Sequence, residues 1–284
     1  DGTGGMLQNV LLGKRCTSKN LALGLGQMTA DFVNAYVLGN VGSTGGTQGA
    51  CATLLYNLEK AVNDIQTGRA KLAVVGAAEA PITPEIIEGY RIMGALAEDR
   101  DLMALDGITD GKPDYRRACR PFGFNCGFTL SEASQYLVLM ADDLAIETGA
   151  TIYGAVPGVY INADGYKKSI SSPGIGNYLT LGRACGLAEK ILGSRGLRQN
   201  TLLHAHGTGT PQNRVTESHV FNEIANAFSI DQWRVAGTKC YVGHSLGPAA
   251  GDQIVFALGT FATGIAPGIA TVQQFADDVH KDRI

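Results

Sequence analysis

Cys51-Ala-Thr-Leu-Leu-Tyr-Asn-Leu58, continuing through Ala61, Val62 and Ile65 to Gly68, is followed at once by Lys71-Leu-Ala-Val-Val-Gly76. In the first stretch the apolar positions return every three or four residues, the pattern of an amphipathic helix, and Gly68 is the residue type that most readily ends one. The second stretch is short and continuously apolar, as expected for a strand covered on both faces. Helix then strand, with a glycine between, is the unit of an α/β protein, and the rest of the chain repeats it. Gln135-Tyr-Leu-Val-Leu-Met140, residues 152–161, Thr201-Leu-Leu-His-Ala-His206 and Arg234-Val-Ala-Gly237 read as strands. Residues 176–193, 216–228 and 245–264 read as helices, the last rich in small residues and expected to be buried. Such alternation points to helices sandwiching mostly parallel sheets. Residues 94–124 are polar and proline-containing and read as a loop excursion, not a domain linker.

Composition narrows the function. The chain has 284 residues, 45% hydrophobic and 17% charged, with a formal net charge of −3. That excludes disorder. Nucleic-acid binding is disfavoured, because 23 basic residues are outweighed by 26 acidic ones and no basic run occurs. The 38 glycines follow no fixed period, so they mark tight turns and not a fibrous repeat. Six cysteines are widely spaced without a Cys-x-x-Cys, and His204/His206 is the only close histidine pair. No carboxylate or thiol neighbours that pair in sequence, so metal ligation is disfavoured there. No apolar run reaches the ~20 residues of a membrane span and no leader is recognisable, which favours a reducing cytoplasm. Asp1-Gly-Thr-Gly-Gly reads as the interior of a longer protein.

Three segments carry chemistry. Gly45-Gly-Thr-Gln-Gly-Ala-Cys51-Ala-Thr53 puts a cysteine at a helix start after a glycine-rich approach. The helix dipole there is expected to lower the thiol pKa and make a nucleophile, against the bland reading of a buried structural cysteine. His204-Ala-His206-Gly-Thr-Gly-Thr-Pro-Gln-Asn-Arg214-Val-Thr-Glu217 ends a strand with His206 facing a cavity, while His204 is expected to pack inside the fold. Gly237-Thr-Lys239-Cys-Tyr-Val-Gly-His244-Ser-Leu-Gly-Pro-Ala-Ala-Gly251 sets a second histidine between glycines, five residues after a lysine. Alone, a strand-end histidine is more often structural and a lysine more often a surface cation.

Together these segments resemble the β-ketoacyl-acyl-carrier-protein synthases, the type I/II condensing enzymes of the thiolase superfamily. The resemblance rests on Ala50-Cys51-Ala-Thr53, His206-Gly-Thr-Gly-Thr210 and Lys239-x-x-x-Gly243-His244-Ser-x-Gly247 in that order, with Cys119-Arg-Pro-Phe122 and Gly127-Phe128 between. It implies a thiolase-like α-β-α-β-α fold, with residues 1–150 as an N-terminal half carrying the nucleophile. Residues 151–284 would form a C-terminal half carrying both histidines, each half incomplete at its outer end. It implies that Cys51 accepts an acyl group as a thioester, and that His206 and His244 decarboxylate a malonyl thioester and stabilise the enolate. Lys239 would tune the site and Glu217 would order the network around it. The implied partners are acyl carrier protein, acyl and malonyl thioesters and a second copy of the chain, with no cofactor and no metal. Residues 36–43 would be the strand that pairs across the homodimer.

Several residues depart from the family pattern. Arg214 stands where an aspartate is usual, Asn125-Cys126 replaces Arg-Asp, Ser131-Glu-Ala-Ser134 replaces a glycine-rich run, and Pro248 and Asp252 are unusual in the following helix. Rival readings are a thiolase proper, which the two histidines oppose, and a non-catalytic chain-length-factor-like subunit, which Cys51 opposes. A Cys-His hydrolase would leave Lys239 without a role.

Overall fold

The computed structural model describes residues 2–168 and 172–284. Three short helices open the chain, α1 (Gly2–Leu11), α2 (Ser18–Leu23) and α3 (Thr29–Val33), the last running into a π-helical turn at Asn34–Leu38. After a 3-10 turn at Ala50–Ala52 come α4 (Thr53–Gln66), β1 (Leu72–Glu79), α5 (Pro84–Ile92), α6 (Asp99–Asp106), β2 (Ala133–Met140) and α7 (Asp142–Glu147). The remainder holds α8 (Ile175–Gln199), β3 (Leu203–His204), α9 (Pro211–Ala227), β4 (Val235–Ala236), α10 (Lys239–Val242) and α11 (Ala249–Thr263).

The opening helix–strand unit forms as its pattern predicts. Leu54, Leu58 and Ala61 lie on the buried stripe of α4, and Gly68 beyond its end takes a left-handed φ of 72°. Leu54 packs with Ala77 and Ala250, and Leu58 and Ala61 with Val75, so α4 and α11 cover one face of β1. The opposite face differs from expectation. Val74 and its cross-strand partner Val138 are exposed, at 37% and 61%. Only one face of this strand is covered among the described residues.

The sheets also differ from the parallel arrangement expected. β1 and β2 pair antiparallel, from Leu72 opposite Met140 to Glu79 opposite Ala133, while parallel pairing among the described residues is confined to β3 with β4 and to single bridges at Leu96–Phe128 and Leu130–His244. Residues 152–161 have no ladder partner among the described residues and form no strand. A strand exists only through its neighbour's backbone groups, which an apolar run cannot supply by itself. For the same reason residues 36–43 are not a strand here. Residues 36–38 belong to the π-helical turn, and the stretch that follows is exposed.

Local signals explain two boundaries. The helix expected from 216 begins at Pro211, because the Thr210 hydroxyl accepts a hydrogen bond from Asn213 N and proline suits the first helical position. The polar segment 94–124 is more than a loop: it holds α6, a 3-10 turn at Tyr115–Arg117 and an ion pair between buried Arg120 and half-buried Asp106. Between α8 and α9 lies a core of Cys185, Leu197, Val220, Ile224, Ala225, Ile230 and Trp233. A second core, of Phe122, Ala205, Phe221, Ala276 and Val279, clamps the end of β3. No described helix is long and apolar enough to cross a membrane.

Candidate active site

Cys51 sits in the 3-10 turn that leads into α4. The turn is tight. Ala50 takes a left-handed φ of 48°, Thr53 Oγ1 donates to Ala50 O at 2.7 Å, and Gly49 N donates to Thr53 Oγ1 at 3.0 Å. An alanine in that backbone region is sterically costly, and such strain concentrates at functional positions. The thiol itself corrects the expectation of a lowered pKa. Burial pushes Cys51 up, the Lys239 charge pulls it back, and Glu79 pushes it up again. Loss of water outweighs the dipole of a helix whose first residue is two positions further on.

β3 and the turn after it present His206. Its backbone is gripped from both sides: His206 N donates to Glu217 Oε1 at 2.5 Å, and Lys239 Nζ donates to His206 O at 2.5 Å. Glu217 Oε2 also accepts from Gly207 N and from Asn213 Nδ2, each at 2.8 Å. Lys239 is 2% exposed, so the surface-cation reading fails. Burial pushes its pKa down and Glu217 up, and each charge holds the other against that drift. Three donors converge on Glu217, which marks it as the ionised partner.

His244 is also buried, at 2% exposure. Its N donates to Thr129 O at 2.7 Å and its O accepts from Ser131 N at 3.1 Å, so the strand-like segment before β2 holds it. The ring of Phe128 meets its imidazole edge to face at 5.1 Å.

The Sγ of Cys51 and ring nitrogens of His206 and His244 all lie within 4.8 Å of one another. Burial, then the Lys239 charge, pushes His206 down to about 3 and His244 to about 2. Both imidazoles are therefore neutral at physiological pH. Leu246 N donates to His244 Nδ1 at 3.3 Å, and the Lys239 ammonium lies 3.4 Å from His206 Nδ1. Each Nδ1 is thus an acceptor, which places the proton on Nε2. Two N–H donors next to a thiol suit an oxyanion better than a cation. The spacing is one a metal could use, but an Nε2 that carries a proton cannot ligate, and the ammonium opposes any cation.

All five residues singled out in the sequence meet here. His204 does not: it is half-buried, and both ring nitrogens lack a partner among the described residues. Arg214 turns from Glu217, pairing with Asp278 at 2.8 Å and with Asn125 Oδ1 at 3.0 Å, so Asn213 completes the shell around Glu217. Cys119, with Sγ 3.6 Å from Thr208 O, is pushed up to about 12 by burial and is no rival nucleophile. Sequence reasoning missed Glu79, which accepts from Gly247 N at 2.8 Å. Its position at the end of β1 was the available signal.

The sequence profile of the beta-ketoacyl synthase N-terminal domain matches residues 24–145, and that of the C-terminal domain matches residues 153–273. This chain belongs to the β-ketoacyl synthase family. The synthase chain is 55% identical over 284 residues to the beta-ketoacyl-[acyl-carrier-protein] synthase FabY of Pseudomonas aeruginosa, covering all of this chain and 44% of that protein. Against the crystal structure of the ketosynthase FabY the TM-score is 0.94 at 54% identity, over 99% of this chain and 44% of the other. It is also 30% identical over 242 residues to 3-oxoacyl-[acyl-carrier-protein] synthase 2 of Staphylococcus aureus, covering 83% of this chain and 54% of that one. A polyketide ketosynthase solved with its acyl-carrier protein shares the fold, with a TM-score of 0.76 at 23% identity over 94% of this chain and 62% of that one. The synthase chain therefore has the thiolase-type fold and spans about half the length of the curated relatives it matches.

Proposed function

We propose that the protein catalyses decarboxylative Claisen condensation of an acyl thioester with malonyl-acyl carrier protein, in fatty-acid or polyketide chain elongation or initiation. The observation that carries this reading is the cluster of one thiol and two neutral imidazoles within 4.8 Å. In the first half-reaction the Cys51 sulfur attacks the acyl carbonyl carbon. The C–S bond to the carrier breaks, and the thiol proton leaves with the carrier thiolate. In the second, the malonyl C–C bond to its carboxylate breaks, releasing carbon dioxide and leaving the electron pair in an enolate. His206 and His244 donate their Nε2–H groups to the enolate oxygen. In a dry pocket such preorganised donors are strongest where charge develops. The enolate carbon then attacks the acyl-Cys51 carbonyl, and the C–S bond breaks to return a Cys51 thiolate, which takes one proton from water.

Lys239 and Glu217 act through His206: one holds its carbonyl, the other its amide. The halves at 1–150 and 151–284, a homodimer and a cytoplasmic setting belong to the same reading. The exposed apolar side chains of Tyr36, Val37 and Val41 support the dimer, since a second copy of the chain would cover them.

The test uses full-length protein and reads acyl-enzyme mass alongside carbon dioxide release. His244→Ala should lower carbon dioxide release on the order of 10²–10³ while Cys51 still becomes acylated. Cys51→Ala should block acylation and condensation and leave some malonyl decarboxylation. If His244→Ala decarboxylates normally, or Cys51→Ala still condenses, these roles are wrong.

A further inference from the structure

Asp252 is a buried carboxylate, 8% exposed, in the first turn of α11, where a small apolar residue would pack more cheaply. A carboxylate in such a place needs compensation. It has four sources. Ser245 Oγ donates to Asp252 Oδ2 at 2.6 Å, and Gln135 Nε2 of β2 donates to Oδ1 at 2.7 Å. The N-terminal end of α11 carries positive partial charge, and Lys239 lies within electrostatic reach. Ser245 is completely buried and immediately follows His244.

The segment 244–247 is an irregular turn that only His244 ties to a neighbouring strand-like segment, through its bridge to Leu130. Leu246 takes a left-handed φ of 60°, which its branched side chain disfavours. Besides those main-chain bonds, a pair of carboxylates holds the rest of it. Asp252 takes the Ser245 hydroxyl at one end, and Glu79 takes the Gly247 amide at the other. Between them Leu246 N reaches the imidazole of His244 and fixes its Nδ1 as acceptor.

We infer that Asp252 is a positioning residue: through Ser245 it holds the turn that aims His244 and sets its tautomer. This rests on the reading of His244 as the decarboxylation donor. It assigns Asp252 no contact with substrate and no proton to move. The strained turn explains why a full carboxylate is needed: a relaxed turn would keep its geometry without one.

The full-length protein tests this with Ser245→Ala, Ser245→Thr and Asp252→Asn, each assayed for malonyl thioester decarboxylation (kcat and KM separately) and for acylation of Cys51. Ser245→Ala should lower decarboxylation kcat about tenfold, the scale of one hydrogen bond to a charged group, with KM nearly unchanged. Acylation of Cys51 should stay within about twofold, which also shows that the variant folds. Ser245→Thr keeps the hydroxyl and should restore most of kcat. Asp252→Asn should fall between the two. Equal losses in acylation and decarboxylation, an unchanged kcat, or no rescue by threonine would overturn the inference. Failure of the wild-type protein to acylate and to decarboxylate would instead bring down the proposed function, and this inference with it.

Discussion

His206 and His244 meet edge to face, ring centroids 5.3 Å apart and planes at 84°, although they come from different turns of the chain. Among the described residues neither ring hydrogen-bonds a carboxylate, and the formal charge 3.4 Å from His206 Nδ1 is the cation of Lys239. The pair is thus built to stay neutral and to donate.

Neutral donors predict a flat pH response. Malonyl decarboxylation should vary little between about pH 5 and 8, because the ring values of about 3 and about 2 lie well below that window. A loss with a midpoint near the ordinary imidazole value of ~6.5 would show that a titrating histidine limits the step. Stability follows a different course. The folded-state values are depressed, so below ~6.5 the unfolded chain binds protons that the folded chain refuses. Denaturation midpoints in urea should fall as pH is lowered from 7 to 5.

Lys239 favours the Cys51 thiolate against the effect of burial. Lys239→Met removes a cation, so the thiol pKa must rise. The rate of Cys51 alkylation by iodoacetamide, followed by mass spectrometry against pH, should shift to higher pH. A profile that stays put or moves lower contradicts the electrostatic role.

Buried Arg120 and half-buried Asp106 form a bidentate pair at 2.8 and 2.6 Å, with Arg120 Nε also on Arg117 O. Removing one partner strands the other charge. Asp106→Asn should cost about 3–5 kcal/mol of stability, read from urea unfolding. A change under ~1 kcal/mol would mean that water reaches the guanidinium.

Much of the candidate site could be read from the chain because each side chain proposed as catalytic is bracketed by local signals. Cys51 precedes a helix with clear period, His206 ends an apolar run in glycines, and His244 lies between Gly243 and the small-residue helix. The helical stripe of α4 was equally plain. What escaped was pairing between distant residues. Glu79 on Gly247, Asp252 on Ser245 and Arg214 on Asn125 depend on three-dimensional approach, which no local spacing encodes. The antiparallel β1–β2 pair was missed for a related reason: an apolar run states that a strand is buried, not which way its neighbour runs.

Gly127 tests the packing behind His244. A Cβ there would lie 2.5 Å from Ala97 N and 2.5 Å from Leu96 O, both backbone atoms that cannot swing aside. Gly127→Ala should destabilise by about 1–3 kcal/mol and displace Phe128 from the His244 ring. Thermal unfolding together with the decarboxylation rate checks both parts. An alanine variant of normal stability and rate would show that the segment 96–97 can retreat.

Gly247 donates its N–H to Glu79 and offers its carbonyl to Leu54 N at 3.3 Å, so the turn carrying His244 is joined by main chain to the helix that follows Cys51. During synthesis that joint forms late. Cys51 emerges first, and His244 is translated roughly ten to forty seconds later at ~5–20 residues per second. Until then the thiol lacks the His244 donor, and for most of that interval His206 and Lys239 do not yet exist either. On the proposed reading a nascent chain therefore carries a thiol without its partners, and the assembled site comes into being only when the segment bearing His244 docks.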